Sequence, residues 1–206
     1  MRKKKNTSLE LRIETPKGLW PSPVSAKLLA GAVRLQDVQW VPGSDMLLWL
    51  QAQDGKPSLW AKPSKQAAYE LTPDHKPGGG IGYGGGEFKA GRNGVYFSDR
   101  DGRNYYKTYN PGLATALSPA FGASASPTPS PDERFLAFVH TYEGKDRIAL
   151  LELGTENWPS ILVSGADFYM QPTWSPDGTK LAWVEWNHPN MPWDGSLLKI
   201  ANFDPE

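Results

Sequence analysis

Four stretches of this chain repeat one another, and no other feature constrains its fold as tightly. They are "WVPGSDMLLWL" from Trp40, "FKAGRNGVYFS" from Phe88, "PSPDERFLAFV" from Pro129 and "WSPDGTKLAWV" from Trp174, with starts 48, 41 and 45 residues apart. Each is a turn cluster followed by a short apolar strand that ends on an aromatic and a small or branched residue. Ser175-Pro176-Asp177-Gly178 suits a tight turn, because proline presets φ, the aspartate bonds its own backbone and glycine accepts the exit geometry. A second element follows each stretch: "DGKPSLWAKP", "DGRNYYKTYN", "GKDRIALLEL" and "DGSLLKIANF" read as a hairpin turn and a third strand. The segments "AYELTP", "ATALSP" and "SILVSG" suit a fourth, outer strand in the first three repeats, and the fourth repeat has no counterpart.

Four antiparallel strands at a period of roughly 40–50 residues is the pattern of propeller blades. The expected fold is therefore all-β, a β-propeller of about four blades, each of four antiparallel strands. The expected organisation is an N-terminal arm over 1–17, disordered or donating a strand through "LELRIE", then a propeller domain over 18–206. Its blades fall at about 36–75, 82–119, 123–165 and 167–206. Nine tryptophans, 19 prolines and the lack of long helix-period runs agree with an all-β chain rich in turns.

Composition excludes several function classes. Lys plus Arg equals Asp plus Glu at 22 each, a poor match to the basic surface that neutralises nucleic-acid phosphates. The basic run Arg2 to Lys5 is short and reads as a solvated start. No apolar segment follows it as a secretory signal would require, and no apolar run exceeds the five residues of Met46 to Leu50, too short to span a membrane. A cytoplasmic location, without membrane or nucleic-acid partners, is the expectation. The chain has no cysteine, hence no disulfide, no thiolate metal site and no cysteine nucleophile. No H-E-x-x-H spacing suggests a metal, and no cofactor is expected.

The stretch "HKPGGGIGYGGGEF" (75–88) holds seven glycines in nine residues, and Gly80, Gly82 and Gly85 satisfy G-x-G-x-x-G. A phosphate-binding loop needs those glycines between a strand and a helix N-terminus. Here a strand, turn and strand follow instead. The glycines are expected to enter the inner strand of the second blade, where neighbouring backbones approach closely.

Several motifs resemble the N-terminal propeller of S9-family serine peptidases, in particular the prolyl-oligopeptidase-like dipeptidyl and acylaminoacyl peptidases. They are "GLWPSP" (18–23), "YGGGEF" (83–88), "VYFSDRDGR" (95–103) and "SPDGTKLAWVEWNHPNMPWDG" (175–195). The last is long and specific, whereas "SPDG" recurs in many TolB-like propellers. The resemblance implies a propeller that gates the entry of short peptides to an α/β-hydrolase domain. This sequence contains no G-x-S-x-G, so the nucleophile elbow of that domain is missing and the chain is expected to be inactive alone. Ser124 and Ser126 sit in a turn-rich segment, and Gly82 stands where the family pattern has a glutamate before Tyr83.

The alternative is a stand-alone TolB-like propeller that binds proteins or peptides as a scaffold. The expected partners are a peptide substrate, a hydrolase domain or second chain, or another copy of the chain through open blade edges. The candidate substrate- or partner-facing residues are Tyr83, Glu87, Glu185, Asn187, His188, Asn190, Trp193 and Asp194. Most lie in the fourth repeat, where 20 residues separate Trp174 from Asp194, against 13 to 15 between equivalent anchors elsewhere. Longer loops on a rigid scaffold often carry function. His75 and His140 have no evident partner and read as surface or edge residues. Trp40, Trp49, Trp174 and Trp183 hold equivalent positions in repeats one and four and read as core or inter-blade packing.

Overall fold

A computed structural model describes residues 22–83 and 85–204, together with Pro16 and Leu19. The strand-donating segment expected at "LELRIE" lies outside these residues. The chain divides into two units, Met1–Ala32 and Val33–Glu206. In the first, a short helix α1 (Ala26–Ala30) starts at Ser25, whose hydroxyl accepts the Leu28 amide at 3.0 Å. This helix was not among the expected elements.

The second unit is all-β, with four antiparallel sheets arranged as propeller blades. Blade 1 is β1 (Arg34–Trp40), β2 (Met46–Gln53), β3 (Lys56–Pro63) and β4 (Tyr69–Glu70). Blade 2 is β5 (Phe88–Ala90), β6 (Gly94–Ser98), β7 (Asn104–Thr108) and β8 (Thr115–Ala116). Blade 3 is β9 (Ala123–Pro129), β10 (Phe135–Tyr142), β11 (Lys145–Glu152) and β12 (Ser160–Val163). Blade 4 has three strands among the described residues: β13 (Phe168–Trp174), β14 (Lys180–Trp186) and β15 (Leu197–Asn202). A one-turn helix α2 (Pro192–Gly195) interrupts its second hairpin.

Register corrects one alignment. Trp40 pairs with Leu47, Pro129 with Leu136 and Trp174 with Leu181, while in blade 2 Ala90 pairs with Val95. Ala90 therefore takes the place that the sequence pattern gave to Phe88, because the β5–β6 turn is shorter and closes through Gly91 and Gly94. The Ser-Pro-Asp-Gly turn folds as its chemistry dictates. Asp177 accepts the Ser175 and Thr179 hydroxyls and the Thr179 amide, and these bonds lower its carboxyl pKa to about 2.

Alternation along the strands assigns one face of each sheet to the preceding blade and the other to the next. On the trailing faces, Val95 and Phe97 pack on blade 1, Leu136 and Phe138 on blade 2, and Leu181 and Trp183 on blade 3. Leading faces supply the other half of each contact: Leu48, Leu50, Leu59 and Ala61 from blade 1, Ala137, Val139 and Ile148 from blade 3. The core is thus a series of inter-blade layers. Three inner strands carry a β-bulge with a residue in the left-handed region, at Asp37, Ser126 and Gln171.

Candidate functional site

Topology gathers the candidate residues at one end of the blades. Each outer strand leads to the next inner strand at that end, through 71–87, 117–122 and 164–167. The hairpins between second and third strands turn there too, including the long 187–196 connection.

The glycine stretch is the first of these crossovers. No helix follows it, which removes the phosphate-loop geometry. Its glycines permit close approach to blades 3 and 4. A Cβ on Gly79 would fall 1.5 Å from the Ser124 carbonyl oxygen, and one on Gly85 2.1 Å from Ser126 Oγ and 3.1 Å from Gln171 Cγ. The Ser126 amide donates to the Gly86 carbonyl at 2.7 Å, tying the crossover to β9. Two of the bulge residues, Ser126 and Gln171, thus converge on Gly85, while Asp37 Oδ2 lies 3.5 Å from the position of a Gly86 Cβ. Glu87, the last residue before β5, accepts the Gly79 amide, and burial raises its carboxyl pKa against the opposing pull of that bond and of Arg100.

Tyr83 lies in the same crossover and reaches blade 4. Its ring meets Phe168 edge-on at 6.0 Å and Trp186 at 5.9 Å, and those two rings stack at 5.1 Å. His188 completes the group, edge-on to Phe168 at 4.8 Å. Its position is set by Asp167, whose carboxylate accepts the His188 amide at 2.9 Å, while the Asn187 side chain accepts the Asp167 amide at 2.8 Å. The structure therefore brings Tyr83, Asn187 and His188 into one aromatic-floored cluster. Beside it runs a groove of about 560 Å³, lined by Lys145, Asp146, Arg147, Asp167, Phe168 and His188. Asp146 is buried at its base, where desolvation raises its pKa although Thr141 donates a hydrogen bond to it.

The other candidates stand apart from that cluster. Glu185 accepts the Trp183 indole N–H at 2.7 Å and lies 3.7 Å from Lys199, so its carboxylate braces the blade 4 sheet. Asp194 accepts the Met191 amide at 3.4 Å within the α2 turn, the Asn190 side chain packs against Gly195, and Trp193 projects outward. Sequence reasoning missed Phe168, Asp167 and the Lys145–Arg147 hairpin. Their signal was present in principle, since they occupy the crossover and hairpin positions equivalent to those singled out in other repeats.

Two histidines read as isolated have partners. His75 Nδ1 lies 2.9 Å from the buried Asp99 carboxylate, and its ring packs against Phe97 and Tyr105. His140 Nε2–H donates to the Phe121 carbonyl at 2.7 Å, and its ring stacks on Phe121. Neither histidine holds a hydroxyl, and no group of three or more metal-ligating side chains occurs among the described residues. No helix there is long and apolar enough to cross a membrane. The cluster offers aromatic faces and charged side chains of both signs.

Comparison with known proteins supports the propeller fold. No family model and no curated protein matches the sequence. Among solved structures, a puromycin-hydrolysing peptidase of Mycobacterium tuberculosis is 27% identical over 94% of this chain and 34% of its own, with a TM-score of 0.77. A puromycin hydrolase is 25% identical over 90% of this chain and 33% of its own, with a TM-score of 0.73. TolB from Acinetobacter baumannii, 20% identical over 79% of this chain and 39% of its own (TM-score 0.60), shares the fold. The chain thus spans about a third of the length of the peptidases it resembles.

Proposed function

We propose that this chain is the gating propeller portion of a serine peptidase of the puromycin-hydrolysing kind. It contributes no catalytic residue, and its cluster of Tyr83, Phe168, Trp186 and His188 faces the short peptides or aminoacyl compounds that the whole enzyme admits. The observation that carries this reading is the similarity to the mycobacterial peptidase along nearly the entire chain. A rigid wall of crossovers restricts entry by size and limits water at a neighbouring hydrolytic centre. The aromatic floor supports the apolar parts of a substrate, and the groove charges of Lys145, Arg147 and Asp167 suit its polar ends.

The test is to tag the native locus, purify the polypeptide and measure its intact mass. Hydrolysis of aminoacyl p-nitroanilides and of puromycin is then assayed with and without a serine-directed phosphonofluoridate. The expected result is a polypeptide or complex about three times the mass of this chain, with hydrolysis abolished by the reagent, while the 206-residue chain alone is inert. A native species of 22.7 kDa that co-purifies with no hydrolase and cleaves nothing would overturn the proposal.

A further inference from the structure

Between blades 2 and 3 the packing opens on its outer side. Blade 2 is the narrower sheet there: β7 has five residues and β8 two, against eight in β11 and four in β12. It packs on Leu136, Phe138, Ala149 and Leu151 of blade 3 and leaves Ile161, the strand partner of Ala149, 60% exposed. The 117–122 crossover folds over part of this gap. Phe121 stacks on Tyr142 at 4.1 Å and on His140 at 5.7 Å, and Trp158, from the loop before β12, meets Phe121 edge-on at 5.9 Å. These rings border a cavity of about 170 Å³ that also touches Phe138, Ala149 and Ile161. The volume suits one aromatic ring, since an apolar cavity of about 150 Å³ takes a benzene.

The polar lining is sparse and of one sign. Arg147, the cross-strand partner of His140, is half-buried, and no ion pair or hydrogen bond among the described residues engages its guanidinium. No aspartate or glutamate lines the cavity. His140 already donates its Nε2–H to the Phe121 carbonyl, which fixes both rings in place. Ser118, buried in the same lining, accepts the Asn104 amide at 2.8 Å, and its own proton has no acceptor among the described residues. The cavity thus sets two idle donors beside an aromatic wall. A guanidinium presents paired N–H groups that match a carboxylate, and a single one balances a single negative charge.

We propose that this cavity binds a compact, free aromatic monocarboxylate, its ring against Phe121, Phe138 and Trp158 and its carboxylate on Arg147. Both walls belong to blades 2 and 3, so the site is complete within this chain. It goes beyond the peptidase reading and shares only Arg147 with the groove beside His188.

Equilibrium dialysis of the polypeptide purified from the tagged native locus, with radiolabelled phenylacetate as the probe, tests it. The expected dissociation constant is roughly 0.1–1 mM, as for a well-seated fragment. Phenylacetamide, which keeps the shape and lacks the charge, and acetate, which lacks the ring, should each bind about tenfold more weakly or worse. Arg147→Gln should weaken phenylacetate about tenfold and leave phenylacetamide unchanged. Trp158→Ala should weaken both aromatic probes. Both side chains are partly exposed and Trp158 is 67% so, and the two variants should keep the circular dichroism of the parent. His188→Ala alters the groove and not this cavity, so it should leave phenylacetate binding intact; that arm separates failure of this site from failure of the peptidase reading. No measurable binding at millimolar phenylacetate, equal affinity for acid and amide, or binding that survives Trp158→Ala and is lost in His188→Ala would each overturn the proposal.

Discussion

Trp174 and Trp40 occupy one position in two copies of the same repeat, and the molecule treats them differently. The first is enclosed between blades 3 and 4 with its indole bonded, and the second, on blade 1, is largely exposed. The same contrast separates Leu181 and Trp183, which are buried, from Leu47 and Trp49, which are only partly covered. The residues are matched in chemistry and in register, so the difference comes from the neighbour and not from the blade. In a propeller the side chains of one sheet are half of a core, and each blade is completed by the next.

The largest expected effect breaks that contrast directly. Trp174→Ala removes a buried ring from the blade 3–4 layer and leaves the Thr128 carbonyl without its donor, so a loss of about 3–5 kcal/mol is expected. Trp40→Ala, measured by urea denaturation, should cost less than about 1 kcal/mol because little area is covered there. Equal losses at the two positions would show that the trailing face of blade 1 is enclosed in solution.

A second comparison lies within the glycine crossover. Gly79 faces the Ser124 carbonyl so closely that a methyl group cannot fit without moving β9, and Gly79→Ala should cost roughly 1–3 kcal/mol. Gly82, three residues on, has nothing within 4 Å of a Cβ, and Gly82→Ala should change stability by less than about 0.5 kcal/mol. Denaturation midpoints of the two variants decide it. A benign Gly79→Ala would mean that the crossover does not rest on β9.

How much of this was legible from the residues follows the same division. The repeat, the sheet class and the need for close approach at the glycines could be read, because turn chemistry and strand alternation are local. Equivalence of Trp40 and Trp174 was legible too, but their burial was not, since burial depends on whether a neighbouring blade is present. The shift from Phe88 to Ala90 as the anchor of blade 2 was hidden by its shorter turn at Gly91–Gly94. At the candidate site, Tyr83 and His188 stood out in the sequence as members of unusual loops. Phe168 and Asp167, which hold His188 in place, did not, because their role depends on a crossover folding beside a hairpin 20 residues away. The pairing of His75 with Asp99 was invisible for the same reason, since it depends on the 76–78 crossover bonding the 98–100 hairpin through Gly78–Ser98 and Arg100–Lys76 backbone hydrogen bonds.

The smallest expected effect concerns the charge beneath the glycine crossover. Burial raises the Glu87 carboxyl pKa above its ordinary 4.5, so the folded state holds that proton more tightly than the unfolded chain does. A raised folded pKa contributes stability that is fully present below the unfolded value and is lost as pH rises through the folded one. Glu87→Gln keeps an acceptor for the Gly79 amide but carries no charge. The variant should therefore match the parent in a relative sense below pH 4 and gain on it progressively from about pH 4.5 toward neutrality. The attraction of Arg100 for the ionised form works against this gain and keeps it modest. Urea denaturation of both proteins across that range reads the difference. A difference that stays constant with pH would show that Glu87 has its ordinary affinity for a proton and that water reaches it beneath the crossover.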